Sequence, residues 1–353
     1  MSVTRREFGK LAMATVPATL IGDRSLASAQ AAARPNSLIN GVQVGVITYS
    51  YRAMPDQSAE AVLRYVLESG ISAVELMGGP IEAFAGAPAF PRPQGGPGGP
   101  GGPARPGGPG APGGAAPPAA AAQPGGPGGR RPPTPEELAS RERYSTAIKT
   151  WRLSQSMDTF KALRKMYNDA GVTIYATKML STNMSDEELE YVFSVAEALG
   201  ASHTTLELPT DAAALKRLGD WAVKKKVYVG YHTHLQGSLT AFDEAFAISK
   251  GNKANIDFGH YVAAGSGDPV VFLEKFHDRI CSFHLKDRKS KENGGANVPW
   301  GQGDTPIGRI LQSVRTHGYT FPATIEMEYD VPAGSTPVAE VRTCVEFCKR
   351  VLA

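Results

Sequence analysis

From residue 42 onward, short apolar runs alternate with segments whose apolar residues recur every three or four positions. The apolar runs predict eight strands, at residues 44–49, 71–77, 172–179, 202–208, 227–234, 254–258, 280–286 and 323–329. The periodic segments predict helices at 58–69, 185–199, 211–225, 241–249, 269–276, 306–317 and 338–352, and a long helical region with a break over 134–170. Start and stop signals support these bounds. Thr134-Pro135-Glu136-Glu137 and Ser185-Asp186-Glu187-Glu188 read as capped helix starts, and Gly70, Gly171 and Gly200 follow helical runs. Eight strands, each followed by helical sequence, predict a single (β/α)8 TIM barrel. An open doubly wound sheet needs a Gly-rich loop after the first strand, and Tyr49-Ser50-Tyr51-Arg52 supplies none.

The pattern breaks after the second strand. Residues 78–133 are Gly, Pro and Ala with almost no large apolar side chain and no collagen-like register. Such a segment cannot bury enough surface to offset its ordering entropy, so a disordered insertion over 78–133 is expected. The amino terminus is set apart as well. Thr4-Arg5-Arg6-Glu7-Phe8-Gly9-Lys10, a mildly apolar run over 11–22 and Ala27-Ser28-Ala29 resemble a twin-arginine export signal over 1–29. The apolar run is too short to span a bilayer, so no stable membrane insertion is expected. Periplasmic localisation and a passage through the Tat export machinery follow, with a linker over 30–41 and the barrel over 42–353.

Composition adds limits. A hydrophobic content of 42% supports a large core, and the formal net charge is only +3, much of it within the first 29 residues. The near-neutral body gives no electrostatic case for nucleic acid. Cys281, Cys344 and Cys348 read as three buried thiols rather than a disulfide framework. A homo-oligomer is compatible with the sequence and not required by it.

The chemistry gathers at the ends of five consecutive strands. Side chains alternate along a strand, so His203, Thr205 and Glu207 share a face, as do Gly230, His232 and His234, Asn255 and Asp257, Ser282, His284 and Lys286, and Thr324, Glu326 and Glu328. Buried charges cost several kcal/mol each unless paired or bound to metal. A shared divalent cation at one rim removes that cost, and mixed oxygen and nitrogen donors suit Mn²⁺, Mg²⁺, Co²⁺ or Zn²⁺.

Asp257-Phe258-Gly259-His260, His284-Leu285-Lys286-Asp287, Trp300-Gly301-Gln302-Gly303 and Ile325-Glu326 together resemble the xylose isomerase-like barrel superfamily, which holds sugar phosphate isomerases/epimerases and endonuclease IV-type enzymes. In epimerase members, Glu, Asp, His and Glu from successive strands hold a metal. The resemblance puts Asp257, His284 and Glu326 in three of these places. Where the family carries its first Glu, this chain reads Gly230-Tyr231-His232-Thr233-His234. Glu207 from the neighbouring strand is the expected fourth ligand, with the two histidines as the alternative.

Metal-dependent sugar isomerisation or epimerisation is therefore expected, by proton abstraction next to a carbonyl through an enediolate. Glu207 or Glu326 would take the proton and Lys286 would neutralise developing charge, unless it only pairs with Asp287. His232, His234, His260, Trp300 and Glu328 would face a small-molecule carbohydrate, with Trp300 stacking on a sugar face unless it only packs. Elimination on the same barrel is the second expectation: a lyase or hydrolase of 3-keto-glycosides, or a dehydratase, which export favours because sugar phosphates are cytoplasmic. An AP endonuclease ranks third, since Asn297-Val298-Pro299 stands where a D-x-H ligand pair is needed. A non-catalytic sugar-binding barrel is the remaining class.

Overall fold

The computed structural model describes residues 34–90 and 133–353. The expected export signal, residues 30–33 of the linker and most of the insertion lie outside the described residues.

Eight parallel strands close on themselves: β1 (Val42–Ile47), β2 (Ala73–Met77), β3 (Thr173–Lys178), β4 (His203–Glu207), β5 (Tyr228–His232), β6 (Asn252–Asp257), β7 (Ile280–Leu285) and β8 (Ala323–Ile325). Each pairs with the next, and β8 returns to β1 through Val44–Ala323 and Val46–Ile325. Helices surround the barrel: α1 (Ala59–Glu68), α2 (Gly78–Phe84), α3 (Pro135–Leu153), α4 (Met157–Asp169), α5 (Asp186–Leu199), α6 (Ala212–Lys225), α7 (Asp243–Ile248), α8 (Phe258–Ala263), α9 (Pro269–Lys275), α10 (Ile307–His317) and α11 (Pro337–Leu352). The chain is thus the expected single TIM barrel. The break in the long helical region falls at Ser154–Ser156, where Ser156 caps α4. Both capping boxes form, at Thr134 with Glu137 and at Ser185 with Glu188.

Two boundaries need correction. Order continues past Gly78: α2 buries Pro80, Ile81 and Glu82. Arg152 on α3 reaches back to Glu82 with Nε–Oε1 at 2.8 Å, both side chains almost fully buried. The Gly-Gly-Pro start disguises a helix whose few large residues all face inward. Likewise, the expected linker contains a hairpin: Leu38–Ile39 pairs antiparallel with Val42 and Gln43. Asn40 and Gly41 both have positive φ, 46° and 87°, the geometry of a type I′ turn. Ser37, fully buried, ties this hairpin to Ser72 ahead of β2.

The main hydrophobic core is one large cluster of strand and helix residues, with a small separate cluster of Ala73, Tyr175 and Ala176, and the three cysteines are free and buried. No described helix is long and apolar enough to cross a membrane.

Candidate functional site

The strand register sets the polar rim. Asp257 stands beside His284, Asn255 beside Ser282, and His232 beside both Asn255 and Glu207. Asp257 ends β6 and also caps α8, its Oδ1 accepting the His260 N–H at 2.7 Å. That short helix was hidden by the Gly259 in Asp257-Phe258-Gly259-His260. A Cβ at Gly259 would lie 2.6 Å from the Lys286 carbonyl oxygen, so only Gly lets α8 start against β7.

His232, Asp257, His284 and Glu326 offer donor atoms that all lie within 4.8 Å of one another, and all four residues are buried. The surrounding contacts turn one atom of each toward the others. His284 Nε2 sits 2.9 Å from Glu75 Oε2, so its Nδ1 faces the group, 2.8 Å from Glu326 Oε2. His232 Nδ1 sits 3.2 Å from Asn255 Oδ1, which leaves Nε2. Asp257 Oδ2 is buried and makes no hydrogen bond; the Lys286 ammonium lies 3.0 Å away but out of line. An orphaned carboxylate oxygen, two oriented imidazoles and a second carboxylate fit a divalent cation with mixed N and O ligands.

The electrostatics differ among the four residues. Burial raises the Asp257 carboxyl to about 6, against the pull of Lys286. Burial also drives His232 down to about 3, only partly opposed by Glu207, so its ring is neutral. Burial disfavours a charged His284 too, but Glu75 and Glu326 outweigh it and hold the imidazole up to about 10. Lys286 Nζ reaches Glu326 Oε2 at 3.0 Å and Glu328 Oε2 at 2.5 Å. It pairs with Asp257, Glu326 and Glu328 rather than with Asp287.

Glu207 is not part of this four-residue group. It is half exposed at the mouth, 3.0 Å from Lys178 Nζ, with Oε2 3.5 Å from His234 Nδ1. Glu207, His234 and His232 form a second group of donor atoms. Because His232 Nδ1 is held by Asn255, its single remaining nitrogen can serve only one of the two groups. In the four-residue group His232 stands in the place expected for Glu207: one strand further on, His232 ends β5 pointing inward, whereas Glu207 ends β4 at the exposed mouth. Partial desolvation at the mouth works to raise the Glu207 carboxyl, yet Lys178 and the two histidines draw it down to about 2.

Glu326, expected both as a ligand and as a proton acceptor, is doubly engaged. Its Oε2 is engaged by both His284 and Lys286, and these cations hold it well below the carboxylate range despite burial. Trp300 does not stand free to stack on a ligand. It is buried edge-on against Phe347 of α11, ring centroids 5.6 Å apart. The Trp300–Gly303 loop is instead pinned by Asp287, whose Oδ2 accepts the N–H groups of Gly301 and Gly303. His260 does reach the mouth, 4.7 Å from the His234 ring. The Arg288 guanidinium donates to its Nδ1, leaving a buried Nε2 with no partner.

Three participants were not singled out from the sequence: Glu75, Lys178 and Arg288. Glu75 alone left a signal, a single charge in the otherwise apolar run Ala73-Val74-Glu75-Leu76-Met77. Its side chain has no measurable exposure.

Comparison with known proteins places these features in context. A family model described as "Xylose isomerase-like TIM barrel" matches residues 151–351, more than half of the chain. An inosose dehydratase from Clostridium tetani is 28% identical over 148 residues, covering 36% of this chain and 49% of that protein. The chain thus spans about half the length of this curated relative. A sugar phosphate isomerase/epimerase from Parabacteroides distasonis superposes with a TM-score of 0.52 at 16% identity, covering 87% and 93% of the two chains. The 3-keto-D-glucoside 4-epimerase YcjR from E. coli does so with a TM-score of 0.52 at 12% identity, covering 88% and 99%. At these identities the likeness establishes the shared fold.

Proposed function

Because this chain belongs to the xylose isomerase-like TIM barrel family, we propose that it is a metal-dependent carbohydrate isomerase or epimerase. The convergence of four buried donor atoms from His232, Asp257, His284 and Glu326 beneath an open mouth carries this reading. A divalent cation held there would polarise neighbouring sugar oxygens and stabilise negative charge beside a carbonyl.

The chain's own groups then divide the work. His234 takes the proton from the carbon next to the carbonyl, its ring oriented by Glu207 at 3.5 Å. Lys286, fixed among three carboxylates, follows β7, two strands on from the β5 end that leads into His234. Its ammonium offsets charge developing on the substrate, and an epimerisation would have it return a proton to the face away from His234, as inversion of a carbon centre requires. The unpartnered His260 Nε2, held as a donor by Arg288 on the other ring nitrogen, binds a sugar oxygen.

A dehydratase or 3-keto-glycoside lyase is the second reading. It uses the same proton abstraction, with Lys286 assisting departure of a β-oxygen instead of reprotonating carbon. The partial match to an inosose dehydratase favours it. The twin-arginine-like stretch at residues 4–10 supports export to the periplasm through the Tat machinery, and with it an unphosphorylated substrate. Incubating the Mn²⁺-loaded protein with free sugars, inososes and 3-keto-glycosides, with products identified by NMR, separates the readings. Epimeric products support the first, enones or released aglycone the second, and no turnover of any class sinks both.

A further inference from the structure

We propose that Glu75 is the positioning residue for both imidazoles of the four-residue group; this rests on the metal reading above. Glu75 lies on β2, far from the rim motifs in sequence, and its side chain crosses the barrel interior. Alternate strands of such a barrel contribute side chains to a common layer. Glu75, Thr205 and Asn255 come from β2, β4 and β6 and meet in this way.

Three donors converge on the carboxylate. Thr205 Oγ1 donates to Oε1 at 2.7 Å, Asn255 Nδ2 donates to Oε2 at 3.2 Å, and His284 Nε2 donates to Oε2 at 2.9 Å. An ionised carboxylate accepts only, so it suits this position and an amide does not. The His284 contact is direct: with its Nε2 proton committed to Glu75, the ring can offer only Nδ1 to a cation. The His232 contact is indirect. Asn255 spends its amino group on Glu75 and on Ser282 Oγ, the latter at 2.6 Å. Its carbonyl oxygen must then face His232 Nδ1. The flipped amide would set its oxygen against the Glu75 carboxylate, acceptor against acceptor. Glu75 thereby fixes which nitrogen each histidine presents, and it does so without offering an atom of its own to the group.

A purely structural role is the alternative, and it predicts different behaviour. A fully buried carboxylate is costly, and an apolar residue would fill the same volume at no electrostatic cost. Partners that orient metal-binding histidines typically account for 10- to 100-fold in metal affinity.

The test measures Zn²⁺ affinity by chelator competition and the visible spectrum of the Co²⁺ form for the wild type, Glu75→Gln and Thr205→Val, with circular dichroism to confirm folding. Glu75→Gln should bind about 10- to 100-fold more weakly and shift the Co²⁺ bands. Thr205→Val removes a donor but neither histidine contact, and should stay near the wild type. Long-range ¹⁵N–¹H NMR of the Zn²⁺-loaded, histidine-labelled wild type supplies a readout independent of any variant. It should show the ring proton on Nε2 of His284 and on Nδ1 of His232. The reverse tautomers, or Glu75→Gln binding as tightly as the wild type with an unchanged spectrum, would overturn the assignment of Glu75 alone. A wild type that takes up neither ion removes the metal reading, and this role with it.

Discussion

His234 Nδ1 faces Glu207 Oε2 across 3.5 Å at the open end of the barrel, while the neighbouring His232 turns inward to the buried group. Two histidines two positions apart, His232 at the end of β5 and His234 just past it, thus divide between two environments. The exposed ring is paired with a carboxylate held ionised by Lys178. It has the access a proton acceptor needs, and the buried ring does not.

His234→Gln should therefore lower kcat by roughly 10²- to 10⁴-fold, the usual contribution of a general base, while metal content stays unchanged. Glu207→Gln should cost less, because it removes only the orienting partner. Steady-state kinetics alongside metal analysis decides this. Turnover of His234→Gln at the wild-type rate would assign the proton transfer elsewhere.

Metal stoichiometry should separate Asp257 from Glu207. Asp257→Asn removes the charge from the orphaned Oδ2 and should leave the purified protein with little bound metal. Glu207→Gln should retain a full equivalent. Elemental analysis after dialysis reads both, and equal losses would return Glu207 to the ligand set.

The Glu82–Arg152 pair should matter for stability and not for turnover. Arg152→Met leaves the Glu82 carboxylate buried without its main partner, which costs about 3–5 kcal/mol in comparable pairs. Urea unfolding should show that loss with kcat unchanged. A wild-type unfolding midpoint would mean that α2 and α3 are held together by other contacts.

His203 should give the fold an acid sensitivity. Burial lowers its folded pKa to about 4 from an unperturbed 6.5, with Glu75 opposing only in part. It sits between Ser202 Oγ and Ser282 Oγ. Between pH 6.5 and about 4, the unfolded chain takes up a proton that the folded chain refuses, so stability falls as pH falls. The slope from this residue approaches about 1.4 kcal/mol per pH unit. His203→Gln should lack it, so the Tm gap between wild type and variant should narrow on going from pH 7 to pH 5. A gap constant with pH would contradict the buried neutral ring.

Most of the barrel was legible because each strand and helix carries its own period and its own punctuation. The capped starts at Thr134 and Ser185 and the Gly that follows several helices needed no tertiary context. The hairpin strand Leu38–Ile39 and two short helices escaped. α2 opens with Gly-Gly-Pro and merges with a low-complexity run, and α8 begins on a strand-ending Asp that caps it. The rim was legible by alternation, which put Asp257, His284 and Glu326 together. What alternation cannot convey is how far each strand end projects. Glu207 and His232 both end strands on the inward face, and only the closed register decides that His232 points into the group while Glu207 meets solvent. Trp300 failed as a rim residue for a related reason: the loop that bears it is folded back by Asp287 onto α11.

Solvent-deuterium exchange tests metal-assisted proton abstraction most directly. The protein loaded with Mn²⁺ is incubated in D₂O with the sugar or keto-glycoside it converts, and the product is read by NMR. One deuteron should appear at the carbon next to the carbonyl, or in an elimination the abstracted proton should be lost to solvent. Conversion should stop with EDTA, return with Mn²⁺, and fall sharply in His234→Gln. Conversion that continues unchanged in EDTA, or that carries the substrate proton through to product without exchange in every variant, would contradict it.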